Sequence, residues 1–321
     1  SPMSELHKFI FDGLPVRGQL VLLTDAWQQV LQRRAANTHT GAWPAPVIGL
    51  LGEMTAAATL LQSNIQFDGA LVLQIMGDGP VKLAVAEVQS DLRLRATATV
   101  SGEIADQARL PDLVNRHGQA RCAITLDPRS RQGGQQPYQG VVPLDQEPDV
   151  ASAIAHYMRQ SEQLDTTLVL AADERTAAGL LIQRLPVQGQ NNLSQSQVAR
   201  EDQSPDAPDE DAFHRISLLA KSLQPQELLT LPADDILHRL FWQERVLRFE
   251  PQTARFACSC SRERVASMIS SLGQAEAEDI LREQGRVEVG CDFCGQQYRF
   301  DAVDVASLFA PAALPAARQL Q

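Results

Sequence analysis

Four cysteines near the C-terminus constrain this chain more than any other feature. Cys258 and Cys260 form a Cys-x-Cys pair, and thirty residues later Cys291 and Cys294 form Cys-x-x-Cys-Gly. Side chains of an extended segment repeat every two residues, so Cys258 and Cys260 face one side. Gly295 permits the tight turn that aims Cys291 and Cys294 at one point. Zinc favours a tetrahedron of soft ligands at about 2.3 Å, and four thiolates fill a closed structural site. The spacing therefore predicts one Zn2+ held by Cys258, Cys260, Cys291 and Cys294. No His or carboxylate completes a three-ligand open site, so a catalytic zinc is not expected.

The segment around these cysteines has few core candidates. They are Val265, Met268, Ile269, Leu272, Ile280 and Leu281, then Val287, Val289, Phe293, Tyr298, Phe300 and Phe309. That is thin for a span of about 60 residues, which usually needs a staple. Bound zinc can supply ~10–16 kcal/mol of apparent folding free energy. Zinc also keeps the sulfurs deprotonated, and thiolates are the form oxidants attack. Oxidation to disulfides would remove the donors the metal needs. From chemistry alone the site serves equally as a reversible unfolding switch or as a permanent staple.

The rest of the 321-residue chain reads as α+β. Strands are predicted over Val16–Leu23, Ile65–Met76, Val81–Val88, Leu92–Val100, Ala120–Leu126, Tyr138–Pro143, Thr166–Ala172 and Gly179–Pro186. Helices are predicted over Asp25–Arg34, from Pro44 to about Gln62, and over Val150–Gln163. Gly77-Asp-Gly-Pro80 is a hairpin turn rather than a phosphate loop, because strands flank it and no helix follows. Residues 1–187 form this first domain. Residues 188–211 are rich in Gln, Asn, Ser and acids, with six acids and no base after Arg200. They read as a flexible acidic connector.

Residues 212–257 read as a helical linker, helical from Phe213 to Phe249. Ile236, Leu237, Leu240, Phe241 and Leu247 form an apolar stripe at helical spacing, which must lie on something. Residues 258–321 make the small α+β zinc domain. Ser261 caps a helix to Leu272, Gly273 ends it, a second helix covers about Ala275–Gln284, and a hairpin flanks Cys291–Cys294. The tail after Phe309 is rich in Pro and Ala and is expected to fray.

Charge excludes some partners. The net charge is −11 and no basic patch is visible, so nucleic acid is not expected. Val47–Leu61 is too short and mixed to span a bilayer, and Ser1–Val16 lacks a leader pattern. A cytoplasmic protein that binds no membrane is expected. Cys122 lies in an apolar run and reads as a buried, inert thiol. No nucleophile motif is present, so no enzyme is expected.

Several segments resemble the heat shock protein 33 family. Cys258-Ser-Cys-Ser-Arg-Glu-Arg-Val265 and Cys291-Asp-Phe-Cys-Gly-Gln-Gln-Tyr-Arg-Phe300 resemble its redox switch. Val16-Arg17-Gly18, Leu51-Gly52-Glu53, Phe67-Asp68-Gly69, Tyr138-Gln-Gly-Val-Val142, Ser161-Glu-Gln-Leu164 and Gly179-Leu-Leu-Ile-Gln183 resemble its N-terminal domain. Glu227-Leu-Leu-Thr-Leu-Pro232 resembles its linker. The resemblance implies a bacterial redox-regulated, ATP-independent holdase chaperone of the stress response. Its reduced, zinc-bound form is inactive. Oxidation forms Cys258–Cys260 and Cys291–Cys294 disulfides, releases zinc and unfolds the linker, and the oxidised form is a homodimer that binds unfolded client proteins. The linker stripe is then expected to touch clients or uncover the surface that does. Two other classes fit the cysteines alone: a zinc-ribbon interaction module and a thiol oxidoreductase.

Overall fold

A computed structural model describes residues 2–65, 67–129, 136–186 and 211–311. The chain divides into two compact units, Ser1–Ala257 and Cys258–Gln321. The acidic connector lies outside the described residues except for Asp211, and so does the tail beyond residue 311.

The first unit opens with β1 (Glu5–Phe11), β2 (Val16–Leu23), α1 (Asp25–Ala35) and α2 (Ala45–Asn64). Then come β3 (Gly69–Met76), β4 (Val81–Gln89), β5 (Arg93–Val100), α3 (Leu110–Val114), β6 (Arg121–Pro128) and β7 (Tyr138–Val142). It continues through α4 (Val150–Ser161), β8 (Thr166–Ala172) and β9 (Ala177–Arg184). Past the connector lie α5 (Ala212–Lys221), α6 (Pro225–Thr230), α7 (Ala233–Phe241), β10 (Val246–Arg248), β11 (Gln252–Thr253) and β12 (Arg255–Phe256).

These strands make two six-stranded sheets. One runs β10-β1-β2-β9-β8 with β11 also on β1; the other runs β12-β5-β4-β3-β6-β7. All pairings are antiparallel except β12 on β5. The apolar helix α2 packs on strands of both sheets, so it is buried nearly all round and shows little amphipathic bias. Among the described residues it is the one helix long and apolar enough to cross a membrane, and 72% of that stretch is buried inside the fold. The expected β3–β4 hairpin forms, with Met76 opposite Leu83.

The first sheet is apolar on both faces, and strict alternation sorts its side chains. Leu6, Val21, Leu23, Ala177 and Leu181 face α2. Phe9, Phe11, Val16, Leu20, Leu180 and Ile182 face the other way, where α5, α6 and α7 cover them. This second core answers the expectation that the linker stripe must lie on something. Ile236, Leu237, Leu240 and Phe241 are all buried there, and the Phe241 ring meets Phe11 edge-on at 5.1 Å.

Three elements depart from expectation. Glu5–Phe11, with no expected element, is β1; its polar His7 and Lys8 interrupt the apolar alternation. Residues 213–249 are not one continuous helical region: α7 stops at Phe241, and Val246–Arg248 pair with Phe11, Ile10 and Phe9 on the edge of β1. Leu247 thus leaves the helical stripe for a strand and is 47% exposed. An open strand edge beside a Val-Leu pair favours this pairing. The short helix α3 also forms without an expected counterpart, opened by Pro111 and a box between Arg109 and Asp112.

The second unit contains α8 (Arg262–Leu272), α9 (Gln274–Gln284), β13 (Val287–Gly290), β14 (Gln297–Phe300) and α10 (Ala302–Phe309). Ser261 caps α8 through a bond from the Arg264 N–H, as expected. Helix α10 is an addition, capped by Asp301. Among the described residues the buried apolar core is five side chains: Ile269, Ala277, Val287, Phe300 and Val305. Met268 and Leu272, counted as core candidates, are 45% and 52% exposed.

Candidate metal centre

The centre is built from two local structures. Cys258 follows directly on Ala257, whose N–H donates to the Leu94 carbonyl, and Cys258 and Cys260 lie on the extended run before the Ser261 cap. Cys291 and Cys294 occupy the turn joining β13 to β14. That turn closes with bonds from Gly295 N–H to the Cys291 carbonyl and from Cys291 N–H to the Gln296 carbonyl. Gly295 adopts φ +75, a left-handed conformation that glycine enters without the Cβ clash.

The four Sγ atoms all lie within 4.8 Å of one another. Cys258 and Cys291 sulfurs approach to 3.6 Å, and Cys260 and Cys294 sulfurs to 3.4 Å. Four sulfurs bound to one zinc stand roughly 3.8 Å apart, given bonds of ~2.3 Å and tetrahedral angles. The donor set therefore fits a tetrahedral, thiophilic metal. Both of these close approaches run between the two segments rather than within a Cys-x-Cys or Cys-x-x-Cys pair.

Neighbouring groups suit sulfurs that carry negative charge. The N–H groups of Cys294 and Phe293 bond to Cys291 Sγ, and the Gln296 N–H bonds to Cys294 Sγ. The Tyr298 hydroxyl donates to Cys260 Sγ at 3.2 Å. Burial, and then the neighbouring sulfurs, nevertheless push the Cys291 and Cys294 thiols up, so a set of thiolates here requires a cation. Arg264 reaches Ser259 Oγ at 3.0 Å. Arg262 bonds the Arg299 carbonyl at 2.8 Å, pairs with Asp304 at 3.2 Å and lies 4.1 Å over the Phe300 ring. Arg262 thereby ties the start of α8 to β14, which leaves the turn, and to α10, which follows it.

The sequence-predicted ligands thus converge. Tyr298 was legible only as a core residue; its place four residues after Cys294, on the outgoing strand, is the signal that brings its hydroxyl back to the sulfurs. Ile236, Leu237, Leu240 and Phe241 belong to the first unit, as described above, and Leu247 sits on β10. Cys122 is isolated on β6, opposite Ile75 and Val142, and burial pushes its thiol up to about 12, as suits an inert core thiol.

Fold and site together define an α+β protein carrying a four-cysteine, metal-competent centre in a small second unit. Residues 4–301 match the family model described as Hsp33 protein, and the chain belongs to that family. It is 44% identical over 315 residues to the 33 kDa chaperonin of Chromobacterium violaceum, covering 98% of this chain and 97% of that one. It is 43% identical over 305 residues to the 33 kDa chaperonin of Methylobacillus flagellatus, covering 95% and 94%. The fold is similar to the crystal structure of the 33 kDa chaperonin of Thermotoga maritima, with TM-score 0.73 and 20% identity over 95% of this chain and 97% of that one.

Proposed function

We propose that this protein is a redox-regulated, ATP-independent holdase chaperone. The observation that carries the reading is a four-thiol centre in a unit with five buried core side chains. Cys258, Cys260, Cys291 and Cys294 hold Zn2+ in the reduced state, and the metal supplies the folding energy that so small a core lacks. Hydrogen peroxide takes two electrons and two protons from each pair of thiols, forming one disulfide and two waters per peroxide. Neighbouring pairing, Cys258–Cys260 and Cys291–Cys294, follows the family resemblance. Sulfurs spent in disulfides no longer bind zinc, so the small unit unfolds.

The client surface is the second core of the first unit. Helices α5–α7 hide Phe9, Phe11, Leu20, Leu180 and Ile182 chiefly by apolar packing. One buried side-chain bond reinforces it, from Thr167 to Ser217 at 2.9 Å. Releasing these short helices, none longer than ten residues, would uncover a large apolar patch of the kind that binds unfolded chains. The oxidised protein acts as a homodimer in the cytoplasm and binds unfolded proteins, not nucleic acid or membrane. It is a binder rather than a catalyst.

The test is treatment with peroxide at raised temperature, following zinc release with a chromophoric chelator and suppression of aggregation of an unfolding client. The proposal predicts that zinc release precedes holdase activity and that a thiol reductant reverses both. Zinc retained, or zinc lost without holdase activity, sinks it.

A further inference from the structure

A cavity of about 360 Å³ lies in the first unit, bounded by strands of both sheets, the C-terminal end of α2 and the end of α4. Its wall is mostly apolar, with Leu61 on α2, Leu71 on β3, and Ile124 and Leu126 on β6, while Asn64, Tyr138, Tyr157 and Glu162 add polar atoms. Into this lining β2 contributes a guanidinium, that of Arg17. Strand alternation places Arg17 on the face of the sheet that carries α2, with Lys8, Gln19 and Gln183.

Neutral acceptors hold this cation in place. Arg17 Nε and Nη2 donate to Gln183 Oε1 at 3.2 and 2.6 Å. Asn64 Nδ2 donates to the same oxygen at 3.0 Å, and Gln183 Nε2 donates to Thr166 Oγ1 at 3.1 Å. Among the described residues no carboxylate pairs with Arg17. Lys8, close enough to repel it, gives its ammonium to the Ser63 carbonyl at 3.1 Å and likewise lacks a carboxylate partner. Burial pushes the pKa of both cations down. Both cations are half-buried, and a partly desolvated cation favours an anion beside it. The nearby carboxylate in the lining, Glu162, is exposed and accepts a bond from Tyr157 at 3.5 Å.

Segments that the redox reading leaves unused meet here. Val16-Arg17-Gly18, Tyr138–Val142, Ser161–Leu164 and Gly179–Gln183 bring in Arg17, Tyr138, Glu162 with Leu164, and the Gln183 that orients Arg17.

We propose that this cavity binds a small carboxylate with an apolar body, its carboxylate on Arg17 and its body among Leu61, Leu71 and Ile124. A guanidinium presents a planar fork that matches a carboxylate. The cavity is at the small end of the range for ligand sites, ~300–1,000 Å³. The same chemistry has two sources, a free acid or the C-terminal carboxylate of a polypeptide ending in an apolar residue.

The experiment is calorimetric titration of the reduced, full-length protein with octanoate, octan-1-ol and octylamine. Octanoate is expected to bind saturably at one site, with the alcohol roughly tenfold weaker or more, and the amine absent. Arg17→Gln should weaken octanoate by at least roughly tenfold. Leu126→Trp, which fills the cavity and leaves Arg17 in place, should also abolish binding while circular dichroism shows a folded chain. A leucine-terminated peptide and its C-terminal amide separate the sources. Binding of the free-acid peptide alone, displaced by octanoate, identifies a chain terminus; exclusion of both peptides with octanoate still bound identifies a free acid. Equal binding of octanoate and octan-1-ol, full affinity in Arg17→Gln, or no saturable octanoate binding would overturn the proposal.

Discussion

The Tyr298 hydroxyl bonds to Cys260 Sγ at 3.2 Å, and the same contact holds the hydroxyl's own pKa up, at about 12. Outer groups of this kind commonly change metal affinity 10–100-fold. Tyr298→Phe is expected to weaken zinc by roughly tenfold in a chelator competition and to speed oxidation of Cys260. Unchanged affinity and rate would mean that the bond is incidental. Glu53 on α2 gives a second residue-scale prediction. Burial, and then the charge of Asp149, push its carboxyl up to about 8. The folded chain therefore keeps a proton there that the unfolded chain loses near pH 4.5. Stability should fall as pH rises through that window to about 8, with no Glu53 contribution to the slope below it. Glu53→Gln should flatten the fall and be more stable than the parent at pH 9 by on the order of 2 kcal/mol, discounted because the group opens on a cavity. Urea melts at pH 5 and pH 9 measure this; equal stability losses in both proteins would refute it. At this scale the clustering of the four cysteines was readable, because two close pairs followed by a turn glycine point to one centre. The partners of Tyr298 and Arg17 were not, since they depend on which strands meet.

At the scale of elements, α7 carries the argument. Its capping proline, its first-turn Asp234 and Asp235 and its apolar stripe all mark a helix. Its end was harder to read. Leu247 continues the spacing of the stripe, but the free edge of β1 captures Val246–Arg248 as a strand. Glu5–Phe11 pairs with its neighbour β2 and also with β10, far away in sequence, and its His7 and Lys8 mask the alternation that would have marked it as a strand. Phe241 packs against Phe9 and Phe11, with centroids 6.0 and 5.1 Å away. Phe241→Asp should cost about 3–5 kcal/mol of packing, loosening α7 in the reduced protein. Binding of an apolar dye without oxidant is the expected readout. The paired variants Leu240→Asp and Phe241→Asp should also alter client binding by the oxidised protein. No change in either measurement would remove α7 from the client-binding account.

Over the whole molecule, the mixed α+β content, the hairpin at Gly77–Pro80 and the cysteine unit were legible, because each rests on local pattern. The sheet orders were not. Nothing local says that β2 pairs with β9, or that α2 lies between two sheets, although its unbroken apolarity is the physical trace of that burial. The two units also differ in what holds them. The first has two extended cores; the second, among its described residues, has a five-residue apolar core and a metal-competent cluster. Loss of thiolates should therefore melt the second unit while the sheets of the first persist. The most direct measurement is hydrogen–deuterium exchange on the reduced, zinc-loaded protein and on the peroxide-oxidised protein. The account predicts that oxidation strips protection from residues 258–309 and from α5–α7 over 212–241, while the β3–β4 hairpin at 69–89 stays protected. An oxidised protein that holds clients with 212–241 as protected as in the reduced state would contradict it.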